Sequence, residues 1–291
     1  MVVHRMIPDF RRTAALNSLR ELGWFSHLEW FEEIDSTNRS LHRRIKDGSI
    51  ALPALIVADV QTQGAGRGGN RWFSPPGCLM FSVGFSSRDL LLQGGASLAS
   101  LPLQVGLSVA QAIAPLVRSQ PMVKWPNDVY IEDRKVCGIL METSYGNAGI
   151  GDDFVIVGIG INCHVRFDAA NDEVRRNAVS LHEVVRTSGE VSSALESVVP
   201  ESVLLRFLQV FRENLVRFQE DPESFMQAWR THDWLAERWV SVQQPHREVI
   251  GRVVGIDRTG GLCLIDSLGI VHTILSGTVR LIPTEAGVNH H

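Results

Sequence analysis

Residues 122–143 read MVKWPNDVYIEDRKVCGILMET, and their texture decides the fold class. Three apolar runs, VKW, VYI and VCGILME, are separated by the turn-forming triplets PND and EDR. Proline presets φ for a turn, and Asn and Asp bond their own backbone, so each triplet reads as a tight reversal. Short apolar runs joined in this way predict a meander of antiparallel strands. The same stretch packs Lys124, Asn127, Asp128 and Lys135 into its two turns. A lysine on a strand can be held against a phosphate as a point charge. Asn127 and Asp128 serve equally well as turn residues and nothing more.

Upstream, residues 9–22 read as a short helix, 27–34 as a strand, 37–46 as a helix with Ser36 or Thr37 at its N-cap, and 54–60 and 79–85 as buried strands. Residues 97–118 carry apolar side chains at largely helical spacing, which predicts a core helix. Downstream, 154–163 (FVIVGIGINC) reads as one more buried strand. Residues 201–219 form an amphipathic helix with Val203, Phe207, Leu208, Phe211, Leu215 and Phe218 on one face, a stripe better suited to core packing than to a ligand. A tryptophan-rich helix is expected over 223–236. Beyond it, residues 240–282 are short β runs broken by Gly260-Gly261, Asp266 to Gly269 and Ser276-Gly277, the spacing of a small barrel of about five strands.

A length of 291 residues suits one large domain and one small one. We expect them over 1–237 and 238–285, with a tail over 286–291. Hydrophobic residues at 44% and charged residues at 21% describe a chain able to bury a sizeable core. A net charge of −4 and a pI near 6.2 argue against a dedicated nucleic-acid binder. The four cysteines form no CxxC pair and no zinc-finger spacing, so free thiols and no metal-ligand set are expected. The start has no apolar run of signal-peptide length, and no stretch reaches the ~18 continuous apolar residues of a membrane span. The expectation is a cytoplasmic protein without a membrane partner, an organellar pool being compatible with the same sequence.

Chemistry concentrates in four short segments. QTQGAGRGGNRW, residues 61–72, places Gly64, Gly66 and Gly69 in the pattern GxGxxG. A dinucleotide fingerprint needs a helix to begin inside those glycines, and Pro75 and Pro76 forbid one. No GK[ST] follows, so a Walker A loop fails as well. What remains is a glycine loop holding Arg67, flanked by Arg71 and Trp72. Glycine amides approach phosphate closely, an arginine fork grips phosphate or carboxylate oxygens, and an indole stacks on a purine. A surface loop with a half-buried tryptophan explains the loop alone equally well. KWPNDVYIEDRKVCGI is the second segment. The third, GIGIN at 158–162, offers a strand whose glycines admit close approach by a ligand, with Asn162 at its end. The fourth, DSTN at 35–38, serves either a polar ligand head or a helix cap.

In order, these pieces resemble the biotin protein ligase (holocarboxylase synthetase) family. The matching strings are STN at 36–38, GxGRGGNxWxSPxG at 64–77, KWPND at 124–128, DRKxxGIL at 133–140 and GxGIN at 158–162. The resemblance implies an α+β fold: a central mixed, largely antiparallel sheet with flanking helices, of the class II synthetase-like kind, plus a small C-terminal SH3-like β-barrel. It implies ATP-dependent biotinylation of a lysine on a biotin carboxyl carrier protein or carboxylase carrier domain, through biotinyl-5'-AMP and with release of pyrophosphate. ATP, Mg2+ and biotin are the implied small molecules. Ser36, Thr37, Asn38, Gln61, Gly64, Ala65, Gly66, Arg67, Lys135 and Gly138 would border biotin. Arg67, Trp72, Lys124, Asn127, Lys135 and Asn162 would contact ATP, Trp72 by stacking on adenine. Arg67, Lys135 and Asp128 would be the catalytic group.

Two departures qualify the resemblance. Family members commonly carry a basic residue where this chain has Ala65, which implies weaker retention of the adenylate. Only about 30 residues precede the match, too few for the winged helix-turn-helix of many bacterial members, so no DNA binding is expected. A lipoate or octanoate ligase shares the architecture, but its RRxxGGG-type motif does not stand in this chain. A non-catalytic biotin-binding adaptor would be favoured by loss of Arg67 or Lys135, and both are present.

Overall fold

The computed structural model describes residues 9–87, 90, 98–145, 153–187 and 198–283; the expected tail at 286–291 lies outside the described residues. Its larger sheet has seven strands: β1 (His27–Ile34), β2 (Ala54–Gln61), β3 (Cys78–Ser86), β4 (Met122–Lys124), β5 (Asp128–Ile131), β6 (Arg134–Ser144) and β7 (Phe154–Asn162). Their spatial order is β1-β2-β3-β7-β6-β5-β4. Among the described strands of this sheet β1 and β2 pair in parallel and all other neighbours pair antiparallel, with isolated parallel bridges from Val123 to Asp233 and from Lys135 to Ala178. The meander read from residues 122–143 is the β4-β5-β6 edge of this sheet.

The alternation along β7 explains how one sheet carries both a core and a site. Val155, Val157, Ile159 and Ile161 face the main core. Phe154 and Ile156 face the other side, where they pack with Leu41, Ala54 and Ile56 beneath helix α2 (Thr37–Lys46). Because side chains alternate along a strand, that second face continues through Gly158 and Gly160. There the strand has no side chains, and a hollow opens over bare backbone.

The main face is covered by α3 (Leu101–Ile113) and α6 (Pro200–Glu220). Phe207 and Phe211 of α6 stack with ring centroids 5.4 Å apart, and Phe207 meets Phe81 of β3 at 5.4 Å. The stripe read for 201–219 is therefore core: Val203, Phe207, Leu208, Phe211 and Phe218 are buried, and Leu215 packs at its margin. Each such side chain contributes ~1.5–3 kcal/mol by leaving water. The helix expected over 97–118 is shorter, Leu101–Ile113 between single 3-10 turns at Leu98–Ser100 and Ala114–Leu116, because Pro102 and Pro115 favour the first turn of a helical segment and break its interior. Leu98–Leu116 is apolar and long enough to cross a membrane by composition, yet 67% of it is buried inside the fold.

Helix α1 (Asp9–Glu21) lies where residues 9–22 predicted one. Two short helices, α4 (Asp172–Asn177) and α5 (Leu181–Thr187), follow β7. The helix expected over 223–236 is α7 (Pro222–His232). It stops early because Asp233 bridges Val123, and the Trp234 N–H donates to the Val123 carbonyl at 3.0 Å. A second, antiparallel sheet then forms from β8 (Trp239–Gln243), β9 (Glu248–Ile256), β10 (Leu262–Ile265), β11 (Val271–Ile274) and β12 (Thr278–Leu281), in the order β11-β10-β9-β8-β12. These are the five strands read from the glycine punctuation of residues 240–282.

Candidate active site

The hollow over β6 and β7 is lined by the polar Ser36, Thr37, Asn38 and Gln61 and by Arg67, Trp72, Asn127 and Lys135; Ala65, Gly66, Gly138, Gly158 and Gly160 also line it. Four separate motifs thus meet in one cavity.

Residues 64–72 are a small hairpin rather than a featureless loop. The Trp72 N–H donates to the Gly64 carbonyl at 3.0 Å, the Gly66 N–H to Asn70 at 2.7 Å, and Ala65 bridges Arg71. At its tip Gly68 and Gly69 take φ of 64° and 80°, where a side chain would be strained. The hairpin aims Arg67 inward, where Nη1 donates to Asn127 Oδ1 at 3.2 Å. Asn127 is itself clamped: its Nδ2 donates to the Ile139 carbonyl at 2.7 Å, and its own carbonyl accepts from the Ile139 N–H at 2.9 Å. Arg71 turns the other way and donates to the Thr62 carbonyl at 2.8 Å. Burial pushes the Arg67 pKa below its ordinary value, while Asp128 pulls it back up.

Lys135 Nζ lies 2.7 Å from Asp128 Oδ1 and 5.4 Å from the centre of the Trp72 ring. Both candidate cations thus line the cavity, and the Asp128 charge acts on each: it pairs with Lys135 and partly offsets the burial that lowers the Arg67 pKa. The β-bulge between Val129 and Tyr130 shifts the β5-β6 register, so that Asp128 pairs with Gly138 while Tyr130 pairs with Lys135. Trp72 lies across the glycines: a Cβ at Gly160 would fall 2.5 Å from its ring, and one at Gly138 would fall 2.8 Å from it. The space read from GIGIN is thus partly filled by the protein itself, by Trp72 over Gly160 and by Asn38 over Gly158.

Four residues implied by the resemblance do not line the cavity: Asp128, which reaches it only through its pairing with Lys135, and Lys124, Asn162 and Gly64. Lys124 Nζ is 3.4 Å from the Tyr130 hydroxyl and 5.1 Å from both the Tyr130 and Trp234 rings, and burial lowers its pKa. Asn162 is buried, and its Nδ2 donates to the Lys135 and Val179 carbonyls at 3.3 and 3.2 Å, so it holds the backbone that carries Lys135. Gly64 is buried at the base of the hairpin, where a Cβ would meet Ser74 Oγ at 2.5 Å. Ser36 occupies the N-cap of α2 without a side-chain cap bond and lines the cavity with Thr37 and Asn38, while Asp35 pairs with Arg43 away from it. Sequence reading missed Ser82 and Glu142, which contact Thr37 and Asn38 from β3 and β6. Their strand positions, on the face that ends in glycines, were the available signal. Among the described residues no group of three or more His, Cys, Asp or Glu could hold a metal ion, and Asp128 is the carboxylate beside the two cations.

A mixed sheet carrying a polar pocket and two convergent cations defines a class, an acid-activating ligase. Residues 30–162 match the model of the Biotin/lipoate A/B protein ligase family. The chain is 31% identical over 252 residues to the Bifunctional ligase/repressor BirA of Escherichia coli, covering 87% of this chain and 73% of that one. It is 27% identical to the Biotin--[acetyl-CoA-carboxylase] ligase of Mycobacterium tuberculosis, over 83% of this chain and 84% of that one. The solved biotin protein ligase of Aquifex aeolicus, in complex with biotin and ATP, superposes with a TM-score of 0.71 at 31% identity, covering 89% of this chain and all of that one. The chain belongs to the biotin protein ligase family.

Proposed function

We propose that this enzyme activates biotin with ATP and transfers it to a lysine of a biotin carboxyl carrier domain. One observation carries the reading: Arg67 and Lys135 line the same cavity as the polar wall Ser36, Thr37, Asn38 and Gln61, in a chain 31% identical to a ligase solved with biotin and ATP.

The chemistry asks for this layout. A carboxylate acylates poorly because oxide would have to leave. Attack of a biotin carboxylate oxygen on the α-phosphorus of ATP forms an acyl–O–P bond and breaks the bond to the β-phosphate, releasing pyrophosphate. Two anions meet in that step, and like charges ~4 Å apart repel by about 4 kcal/mol at an effective dielectric of ~20. Arg67 and Lys135 offset the repulsion and stabilise the charge added at phosphorus. Before substrate arrives Lys135 is held by Asp128, and phosphate oxygens then compete for it. In the second step the acceptor amine attacks the acyl carbon, the C–O bond to AMP breaks, and the ammonium proton passes to Asp128 or solvent. Trp72 offers an indole face to adenine, and Asn127 fixes Arg67 for the phosphate. Mg2+ bound with the nucleotide would supply positive charge to the phosphates, and Asp128, the carboxylate paired with Lys135, would be the residue to help hold it.

The test offers the purified protein biotin or lipoate with MgATP and follows pyrophosphate, then adds a carrier domain and blots with streptavidin. Biotin-dependent release and a labelled carrier are expected. Release with lipoate and none with biotin would overturn the assignment.

A further inference from the structure

A chain of five side chains runs through the polar wall, from Glu142 by way of Asn38, Ser82 and Thr37 to Gln61. Asn38 Nδ2 donates to Glu142 Oε2 at 2.7 Å and to the Leu140 carbonyl at 3.3 Å. Ser82 Oγ lies 2.6 Å from Asn38 Oδ1 and 2.7 Å from Thr37 Oγ1. Gln61 Oε1 accepts from the Thr37 N–H at 2.7 Å and lies 3.1 Å from Thr37 Oγ1. Ser82, Asn38 and Thr37 are all buried, so water does not complete these bonds.

Proton counting gives the chain a direction. The Leu140 carbonyl and an ionised Glu142 only accept, so the Asn38 amide must turn its NH2 toward them and its oxygen toward Ser82. That oxygen needs a donor, and the single Ser82 proton supplies it. The Ser82–Thr37 contact is then made by the Thr37 proton. Thr37 Oγ1 keeps its lone pairs for the cavity, and Gln61, whose oxygen is fixed by the Thr37 N–H, keeps its NH2. The wall therefore shows one acceptor and one donor, the complement of an N–H beside a C=O in a cyclic urea.

We infer that Glu142 is a positioning residue which, through Asn38 and Ser82, sets the hydrogen-bond polarity of the pocket for a ureido ring. Gly158 belongs to the same device, since any side chain there would collide with Asn38 Oδ1. This inference rests on the biotin reading above.

Glu142 is exposed at the rim, so Glu142→Leu leaves the core intact. It is expected to raise KM for biotin about tenfold, with kcat and KM for ATP within about twofold. Glu142→Gln, whose carbonyl can still accept, should recover most of the loss. Ser82→Ala should resemble Glu142→Leu, and the double variant should stay near about tenfold rather than the ~100-fold of independent sites. Wild-type protein lacking biotin-dependent pyrophosphate release would remove the functional reading and the inference with it. Wild-type activity together with an unmoved KM in Glu142→Leu, or with multiplicative effects in the double variant, would overturn the relay alone.

Discussion

Trp72 rests on Gly160 with almost no clearance, so even a methyl group at position 160 must displace the indole. Gly160→Ala is expected to cost ~1–3 kcal/mol in overpacking, read as a lower Tm, and to raise KM for ATP more than KM for biotin. Equal effects on the two substrates would argue against a nucleotide platform. Arg67 is held by Asn127, whose amide is itself fixed by Ile139, so its guanidinium is oriented within the cavity. Arg67→Gly removes that grip while leaving Lys135 to support the first step. The expected outcome is an adenylate that escapes, seen as biotin on bystander lysines of an added protein such as serum albumin. Strict labelling of the carrier domain by this variant would contradict a retention role for Arg67. Ala65 lines the same cavity and brings no charge of its own, which leaves more of that role to Arg67.

Local periodicity made the elements legible where one force dominated. The α6 stripe and the 122–143 meander followed from spacing alone, because burial of one face overrides everything else in those segments. Helices α4 and α5 were missed although their caps stand in the sequence: Asn171 Oδ1 accepts from the Val174 N–H at 2.8 Å, and Ser180 Oγ accepts from the Glu183 N–H at 3.3 Å. They are too short to display a face. The positions of Lys124 and Asn162 were illegible for another reason, since a motif names neighbours in sequence and the partners here, Trp234 and Val179, come from elsewhere in the chain. The β7-α4-α5 region also carries a pH response. The His164 and His182 rings stand 4.7 Å apart, and burial, then the neighbouring His182, lower the His164 pKa to about 4. The folded state thus binds fewer protons than the unfolded one between pH ~4 and ~6.5, and stability should rise with pH across that window. Asp233, raised by burial to about 6, pulls the opposite way up to that pH. The readout is therefore the difference between wild type and His164→Asn, which should remove roughly 1–2 kcal/mol of the acid-side slope once solvent screening of the ring is allowed for. Parallel Tm–pH curves for the two proteins would exclude the His164 contribution.

Across the whole molecule, the second sheet grips the turn from which Asn127 and Asp128 project. The Trp125 indole N–H donates to the Gly260 carbonyl at 3.0 Å, and Trp125 is 2% exposed, so water cannot replace that bond. Gly260 takes φ of 88°, and a Cβ there would come within 3.0 Å of Ser100 Cα, so the β9-β10 turn fits against the start of α3 only with glycine. A second clasp lies nearby: Trp234 Nε1 donates to Asp133 Oδ1 at 2.8 Å, and Arg238 stacks on the Trp234 ring at 4.0 Å. The β4-β5-β6 edge, which bears Asp128 and Lys135, is thus braced from both of its turns by residues that follow α7. This arrangement predicts that the second sheet contributes to chemistry without touching substrate. Trp125→Phe keeps the bulk and deletes the N–H, leaving a buried carbonyl unpaired at a cost of ~1–3 kcal/mol. Its Tm should fall accordingly, and hydrogen exchange should quicken in β4-β5 and in the β9-β10 turn together, because one bond serves both. With the turn loosened, Asn127 aims Arg67 less well, so kcat for adenylation should drop while KM for biotin should hold if, as proposed, Ser36, Thr37, Asn38 and Gln61 bind it. Faster exchange in the β9-β10 turn alone, with β4-β5 and kcat unchanged, would mean that the two sheets touch there without the one bracing the other.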